Sequence, residues 1–136
     1  MPIVGFLLNE VSGKKITEIQ GGVSVANNAD IKSVKKEQIK KFNQDAISIG
    51  FEFSSTYTSE DEEIAKIIMK GNLIAIDEDT DKILEFWKKN KELPENLHIE
   101  AINIILRKCL TKIMLISDEL QLPPPIGLPF ATKKEK

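Results

Sequence analysis

The sequence has very few of the residues from which catalytic and metal sites are built. It contains one histidine, His98, and one cysteine, Cys109, in 136 residues. A single histidine without an HxxxH or CxxC pattern gives a zinc site or a Ser-His-Asp arrangement almost nothing to use. The acidic runs at residues 60–63 and 77–79 lack the alternating ligands and central glycine of a calcium loop. We therefore expect no enzyme, no bound metal and no cofactor.

Other absences restrict the location and the partners. A single cysteine cannot form an internal disulfide, which fits a reducing cytoplasm. The apolar start, residues 1–8, lacks the basic region of a signal peptide. Charged residues interrupt every window of about eighteen residues in the later apolar helix, as a membrane span would not allow. A formal net charge of −2 argues against nucleic acid, because its binding normally needs a basic face. We expect a cytoplasmic protein without membrane insertion.

The sequence has a surplus of apolar residues in one long predicted helix, residues 96–119. Its polar residues Glu100, Asn103, Arg107 and Thr111 are spaced by three, four and four, so they form one narrow stripe. The remainder is more apolar than a small domain needs to cover one face of a sheet. The surplus predicts contact with a second copy, a partner or a client polypeptide. We assign the oligomer interface to Ile102, Ile105, Leu106, Cys109, Leu110 and Ile113, although a buried core position for Cys109 also fits its helical spacing.

The segment after this helix is a stiff apolar arm. Three consecutive prolines, Pro123 to Pro125, cannot continue the helix and hold an extended polyproline conformation. We expect the arm to fold back on the long helix or on a neighbouring subunit. Its apolar residues Ile126, Leu128 and Phe130 would then form one wall of a client groove. Residues 132–136 are expected to form a disordered tail.

The order of periodic segments predicts strands first and helices last. The clearest strand has Ile47, Ile49, Phe51 and Phe53 alternating with polar or small residues, as expected of a sheet with one buried face. Among the other predicted strands are one at 3–11, a long polar one from 23 to 39 that is bent or bulged near Asn27 and Asn28, and one at 63–76 with a bulge at Gly71. A polar turn is predicted at 59–62, a short helix at 81–90, and the long helix with Asn96 as its cap.

Three motifs in the C-terminal half resemble the protein-export chaperone SecB and its relatives. Residues 70–77, KGNLIAID, are similar to the glycine-centred strand that precedes the first helix in that family. Leu93-Pro94 resembles the family's Phe-Pro junction before the long helix. Residues 120–124, LQLPP, are similar to the Leu-x-Leu-x-Pro motif after it. At the N-terminus, residues 9–12, NEVS, fall where the family has a Lys-Asp-Val-Ser segment.

The resemblance implies an α+β fold in which a four-stranded antiparallel sheet carries a short and a long C-terminal helix. It implies one domain over residues 1–131 and a dimer of dimers that assembles through sheet edges and long helices. The implied function is an ATP-independent holdase that binds unfolded polypeptides in hydrophobic grooves. The family's groove maps to Ile19, Val23 and Val25 between the first two strands and to Leu93 and Pro94 between the helices. The alternative, that these residues pack down on the sheet, stays open for each one.

The sequence departs from the family where SecB docks the motor ATPase SecA. Acidic positions on the strand face carry that docking, and Glu10 matches one of them. Lys14 and Lys66 lie near places where an acid would be needed, which argues against docking. The resemblance leaves open a role in export, in general holding or in a toxin-antitoxin system. A structural or adaptor oligomer, whose apolar surplus is wholly used in self-assembly, is the alternative from another functional class.

Overall fold

The structure is a computed structural model that describes residues 3–18, 21–39, 44–76 and 79–125. Its strands form one antiparallel sheet in the order β1-β4-β3-β2. The two helices follow the strands in the chain, which confirms the predicted α+β fold. The elements are β1 (Ile3–Lys15), β2 (Ser24–Ile39), β3 (Gln44–Ser59), β4 (Glu62–Ala75), α1 (Thr80–Asn90) and α2 (Glu95–Glu119).

The core lies between the helices and one face of the central strands. Every second residue of β3 from Ile47 to Tyr57 is buried, so the predicted alternation continues beyond Phe53. The β3–β4 hairpin turns at Glu60 and Asp61, whose φ angles are 52° and 66°. Two positive φ values in a two-residue loop match the twist of the flanking strands. The predicted polar turn is therefore confirmed.

The predicted bend of β2 at the two asparagines is wrong. Pairing with β3 runs in register through Asn27 and Asn28, and the irregularity lies between Ile31 and Ser33, where Lys32 is the extra residue. Asparagine is unfavourable in strands only as an average tendency. Here the Ser55 hydroxyl of β3 donates to the Asn27 side-chain oxygen, so the polar side chain has a partner within the sheet.

The bulge predicted at Gly71 was assigned to β4, and this assignment to a strand is wrong. The extra residue lies opposite, in β1, where Leu8 and Glu10 pair with consecutive residues of β4. Gly71 has a different role, because a Cβ atom there would overlap the carbonyl oxygen of Leu7 and press on the Phe51 ring. A glycine is needed where another backbone approaches this closely.

The ends of α2 differ from the expected capping. Helix α2 begins at Glu95, with Pro94 rather than Asn96 at the N-cap position, so that part of the prediction is wrong. At the C-terminus, the Leu122 amide donates to the Ser117 carbonyl at 2.8 Å, and the Gln121 amide donates to the Asp118 carbonyl at 3.0 Å. These two bonds form a Schellman motif, which turns the chain back toward the sheet.

Helix α2 buries one stripe of residues spaced by four. The stripe is Leu97, Ala101, Ile105, Cys109, Ile113 and Ser117. A row with this spacing is inclined to the helix axis, so the face that α2 buries turns gradually along its length. Three predicted interface residues, Ile105, Cys109 and Ile113, are 0% exposed within the chain and need no partner to be buried. The structure therefore corrects their assignment to core. Ile102, Leu106 and Leu110 are half-buried and keep accessible surface.

Candidate functional site

The described part of the proline arm is fastened to the sheet by side chains. The Tyr57 hydroxyl donates to the Pro123 carbonyl at 2.8 Å, and the Asn27 amide donates to the Pro125 carbonyl at 2.9 Å. The Ser55 hydroxyl donates to the Asn27 side-chain oxygen at 2.5 Å and orients that amide. We call the segment from Leu122 to Pro125 the strap. Prolines suit it, because their carbonyls accept bonds while no proline amide is left without a partner.

Tyr57 is the more deeply placed of the two donors. Its side chain is 0% exposed and lies in the core on β3. Burial raises the pKa of Tyr57, and a hydrogen bond with Ser117 partly offsets this effect. The hydroxyl therefore stays protonated at neutral pH and remains a donor to the strap.

The first predicted groove lies beside the strap. Val23 and Val25 are half-buried, and Val25 pairs with Tyr57 in the sheet. Both side chains therefore pack partly against the core and remain partly accessible. Ile19 lies outside the described residues, and so do Ile126, Leu128 and Phe130 of the arm.

The junction between the helices borders an apolar cleft of about 450 Å³. Its apolar lining comes from Ile83 and Phe86 of α1 and from Pro94 and Leu97 at the start of α2. Phe86 is 39% exposed, which is unusual for a large aromatic side chain in a small domain. Of the two predicted residues at this junction, Pro94 lines the cleft and is half-buried.

Leu93 has a different place. It is 3% exposed and belongs to the core cluster. Leu93 therefore packs in the core, the alternative that the sequence left open. It also borders a smaller cleft together with Phe86 and His98, and its contact with a client stays a prediction.

The cleft contains a carboxylate whose buried oxygen has no hydrogen-bond partner among the described residues. This atom is Oε1 of Glu100, on the same stripe as the exposed polar residues of α2. On the other side of Phe86, a second cleft is bordered by Glu92, Glu95 and His98. Asp79, Lys82 and Asn96 also line the first cleft, so its margin carries both signs of charge. Such a cleft suits an apolar side chain with a hydrogen-bond donor beside it that can reach the Glu100 oxygen.

Exposed apolar side chains also lie on β1, at the edge of the sheet. Val4, Leu7 and Val11 are 59%, 54% and 47% exposed. β1 pairs only with β4 in this sheet, so its other edge has backbone groups available for a further strand.

The outer face of the sheet, away from the helices, carries charged residues on β1 and β4 as well as apolar ones such as Leu7 and Ile68. Glu10 lies there and pairs with Lys70 at 3.6 Å between Nζ and Oε2. Lys14 and Lys66 are direct register partners, so two positive charges stand opposite each other on this face.

Two kinds of site are missing from the part of the chain that the structure describes. No group of three or more His, Cys, Asp or Glu side chains lies close enough together to hold a metal ion. None of the described helices has the length and apolar character to cross a membrane.

Comparisons by sequence find nothing similar, whereas comparison of folds finds a relative. No protein-family model matches the chain, and no functionally described protein is similar to it in sequence. Among solved structures, it is similar to a SecB-like chaperone from Mycobacterium tuberculosis in complex with a ChAD peptide from the HigA1 antitoxin. The TM-score is 0.59 over 98% of this chain and 91% of that one, at 11% sequence identity. The chain has a SecB-like fold.

The SecB-like fold confirms the resemblance that motifs of only two to eight residues had indicated. Sequence reasoning missed four residues of the candidate surfaces, Asn27, Tyr57, Phe86 and Glu100. The sequence did carry a signal for Phe86. It lies outside the apolar face of α1, so a large aromatic side chain is expected to be exposed there. The contacts of Asn27 and Tyr57 join positions 98 and 66 residues apart, and no local pattern reports such pairs.

Proposed function

We propose that the chain is an ATP-independent holdase chaperone that binds non-native polypeptides. The observation that carries the proposal is the cleft between α1 and α2, which is lined by Phe86, 39% exposed, and by Glu100, whose buried Oε1 has no hydrogen-bond partner among the described residues. A client segment would place an apolar side chain against Phe86 and Pro94 and a lysine or arginine near Glu100. The half-buried Val23 and Val25 supply a second apolar surface, and the remaining client residues of the arm stay a prediction.

The strength of such binding suits a reversible holder. At about 25 cal/mol per Å², roughly 300 Å² of client apolar surface gives about 7 kcal/mol before ordering costs. That value corresponds to weak binding at one site. Several sites on one assembly would raise the overall affinity without new contacts.

The structural relative supports a polypeptide client. That chaperone was solved with a peptide from an antitoxin, so a protein of this fold accommodates an extended segment of another chain. The same complex favours a second candidate function, a chaperone dedicated to the antitoxin of a toxin-antitoxin system. The pairing of Glu10 with Lys70 and the facing Lys14 and Lys66 favour either role over docking to an export motor. We place the activity in the cytoplasm, where such clients are made.

Assembly is part of the proposal. We propose that copies of the chain meet at the free edge of β1 and at the outer side of α2, forming a dimer of dimers. Val4 and Leu7 on β1, and Ile99 and Leu115 on α2, are each at least half exposed. Ile102, Leu106 and Leu110 stay predicted interface residues. Light scattering coupled to size exclusion tests the assembly, and a monomer at micromolar concentration contradicts it.

The client proposal is tested by suppression of aggregation of a chemically denatured model protein. Phe86→Ser should weaken suppression, because it removes the exposed aromatic contact, and Phe86→Leu is the matched control that keeps an apolar side chain. Glu100→Gln should weaken binding of basic clients more than of neutral ones. Melting temperature should change little for all three. An assembled protein that holds no denatured client supports the adaptor alternative instead.

A further inference from the structure

A further cleft, of about 400 Å³, lies between the start of β1 and the middle of α2. It shares no lining residue with the two clefts beside Phe86. Its volume is near the lower end of the range of small-ligand pockets, roughly 300–1,000 Å³. Its lining combines apolar side chains with two cations: Ile3, Val4, Phe6, Ile104, Arg107 and Lys108.

The apolar part of this cleft is held in place by the fold. Ile3, Phe6 and Ile104 are half-buried and pack against the core cluster. The Phe6 ring stacks on the ring of Phe51, with centroids 5.3 Å apart and an angle of 27° between the ring planes. Because these side chains are already ordered, little entropy is lost in them when a ligand binds. The cleft therefore suits one apolar side chain.

The two cations of the cleft have no counter-charge. No acidic side chain of the described residues lines the cleft, and neither Arg107 nor Lys108 forms an ion pair with a described residue. In the sequence, none of the positions three or four residues from either cation is acidic, so α2 itself supplies no partner. Both side chains are exposed and available to a ligand. A cleft with charge of one sign attracts a ligand of the other sign.

The spacing of the cations and the apolar side chains restricts the ligand further. Arg107 and Lys108 follow Ile104 by three and four residues, so their Cβ atoms lie about 5–6 Å from that of Ile104. The last residue of a polypeptide carries a carboxylate and a side chain on one Cα atom, which fits this short distance. Within an extended chain, neighbouring side chains point to opposite faces instead, and the next one on the same face is about 6–7 Å away.

We propose that this cleft binds the C-terminus of a polypeptide whose last side chain is apolar. The guanidinium of Arg107 presents a fork of donors that matches a carboxylate, and Lys108 adds a second positive charge. The terminal side chain packs against Ile104 and Phe6. These four residues are not among those assigned to the interface between copies, although Val4, which also lines the cleft, is. A second copy is a poorer occupant unless it brings a carboxylate, because desolvating unpaired cations is costly.

The test measures binding of a fluorescein-labelled peptide, Gly-Ser-Gly-Ser-Gly-Leu with a free carboxylate, to the full chain by fluorescence anisotropy. The matched control is the same peptide with a C-terminal amide, which keeps the leucine and removes the charge. The free acid should bind about tenfold or more tightly than the amide, as expected for a charge-assisted hydrogen bond. A free acid that ends in serine should also bind about tenfold more weakly. Equal binding of the leucine acid and its amide, or binding of neither, overturns the proposal.

Matched variants of the chain locate the contact. Arg107→Gln should weaken binding of the free acid about tenfold and leave the weaker binding of the amide unchanged. Lys112→Gln is the control, because it removes a positive charge from an exposed position of the same helix that does not line the cleft. An equal loss in both variants would mean attraction by overall charge and would overturn the site. Arg107 is exposed, so its replacement should leave the melting temperature unchanged.

Two further measurements separate the other occupants. An amidated peptide with an aspartate two residues before its leucine should bind no better than the plain amide; binding as tight as that of the free acid would make the ligand an acidic side chain and refute end recognition. Light scattering should find the same oligomeric state for Arg107→Gln as for the unchanged chain, and dissociation would mean that a second copy fills the cleft. None of these readouts uses a denatured client. A chain that binds the free acid but suppresses no aggregation refutes the holdase function alone.

Discussion

Replacing Tyr57 by phenylalanine should release the strap while leaving the core intact. The ring stays in place, and only the hydroxyl that donates to the Pro123 carbonyl at 2.8 Å is removed. A net hydrogen bond contributes about 1 kcal/mol, and a buried acceptor left without a donor costs about 1–3 kcal/mol. Pro123 is half-buried, so water can replace part of the lost bond. We therefore expect the free energy of unfolding to fall by about 1–1.5 kcal/mol.

The assay is urea unfolding of Tyr57→Phe, of Asn27→Ala and of the double variant. Both side chains hold the same strap, so the loss of one bond should weaken the other. The double variant should therefore cost less than the sum of the single variants, by about 0.5–1 kcal/mol. Strictly additive costs would refute a strap held jointly by the two strands.

Truncation after Leu122 supplies the control. It removes both acceptor carbonyls but leaves the hydrogen bond between Tyr57 and Ser117, so Tyr57→Phe should then cost less than in the full chain, by about 0.5–1 kcal/mol. The truncation itself should lower the melting temperature, because it uncovers the Tyr57 end of the core. The strap is dispensable, and the reasoning wrong, if the shortened protein keeps its melting temperature, its oligomeric state and its client binding unchanged.

Three further substitutions test other parts of the fold. Gln121→Gly should raise the free energy of unfolding by about 0.5–1 kcal/mol, because φ there is 56° and glycine adopts this region without steric cost; a lower melting temperature would contradict this. Gly71→Ala should destabilise by about 3 kcal/mol or more, because the new Cβ overlaps the Leu7 carbonyl, whereas Gly5→Ala, where the added atom makes an ordinary contact at 3.4 Å, should be nearly neutral. Burial raises the pKa of Cys109 from 9.0 to about 11, with Lys112 opposing the shift, so its contribution is fully present below pH 9 and is lost as the pH rises to about 11. The loss should be roughly 2–3 kcal/mol, and Cys109→Ala should remove this slope from unfolding measured between those pH values.

The sequence by itself determined the elements of this protein. Alternation at Ile47 to Phe53 is a local pattern with a period of two, and the polar residues at 59–62 allow only a tight reversal. The apolar surplus of the long helix likewise depends on spacing within one segment. These signals act between near neighbours, so they can be read without knowing the fold. They sufficed for the order of strands and helices and for the resemblance to the SecB family.

Only the tertiary structure decided which apolar residues of that helix stay accessible at the surface. Ile105 and Leu110 both lie in the apolar run of the helix, but packing of α2 on the sheet buries the first and leaves the second half-buried. The position of the bulge opposite Gly71 and the bonds from Asn27 and Tyr57 to the strap also join distant parts of the chain. Their partners are chosen by the register of the sheet and the turn after α2. Those choices depend on packing of the whole chain, which no local pattern contains.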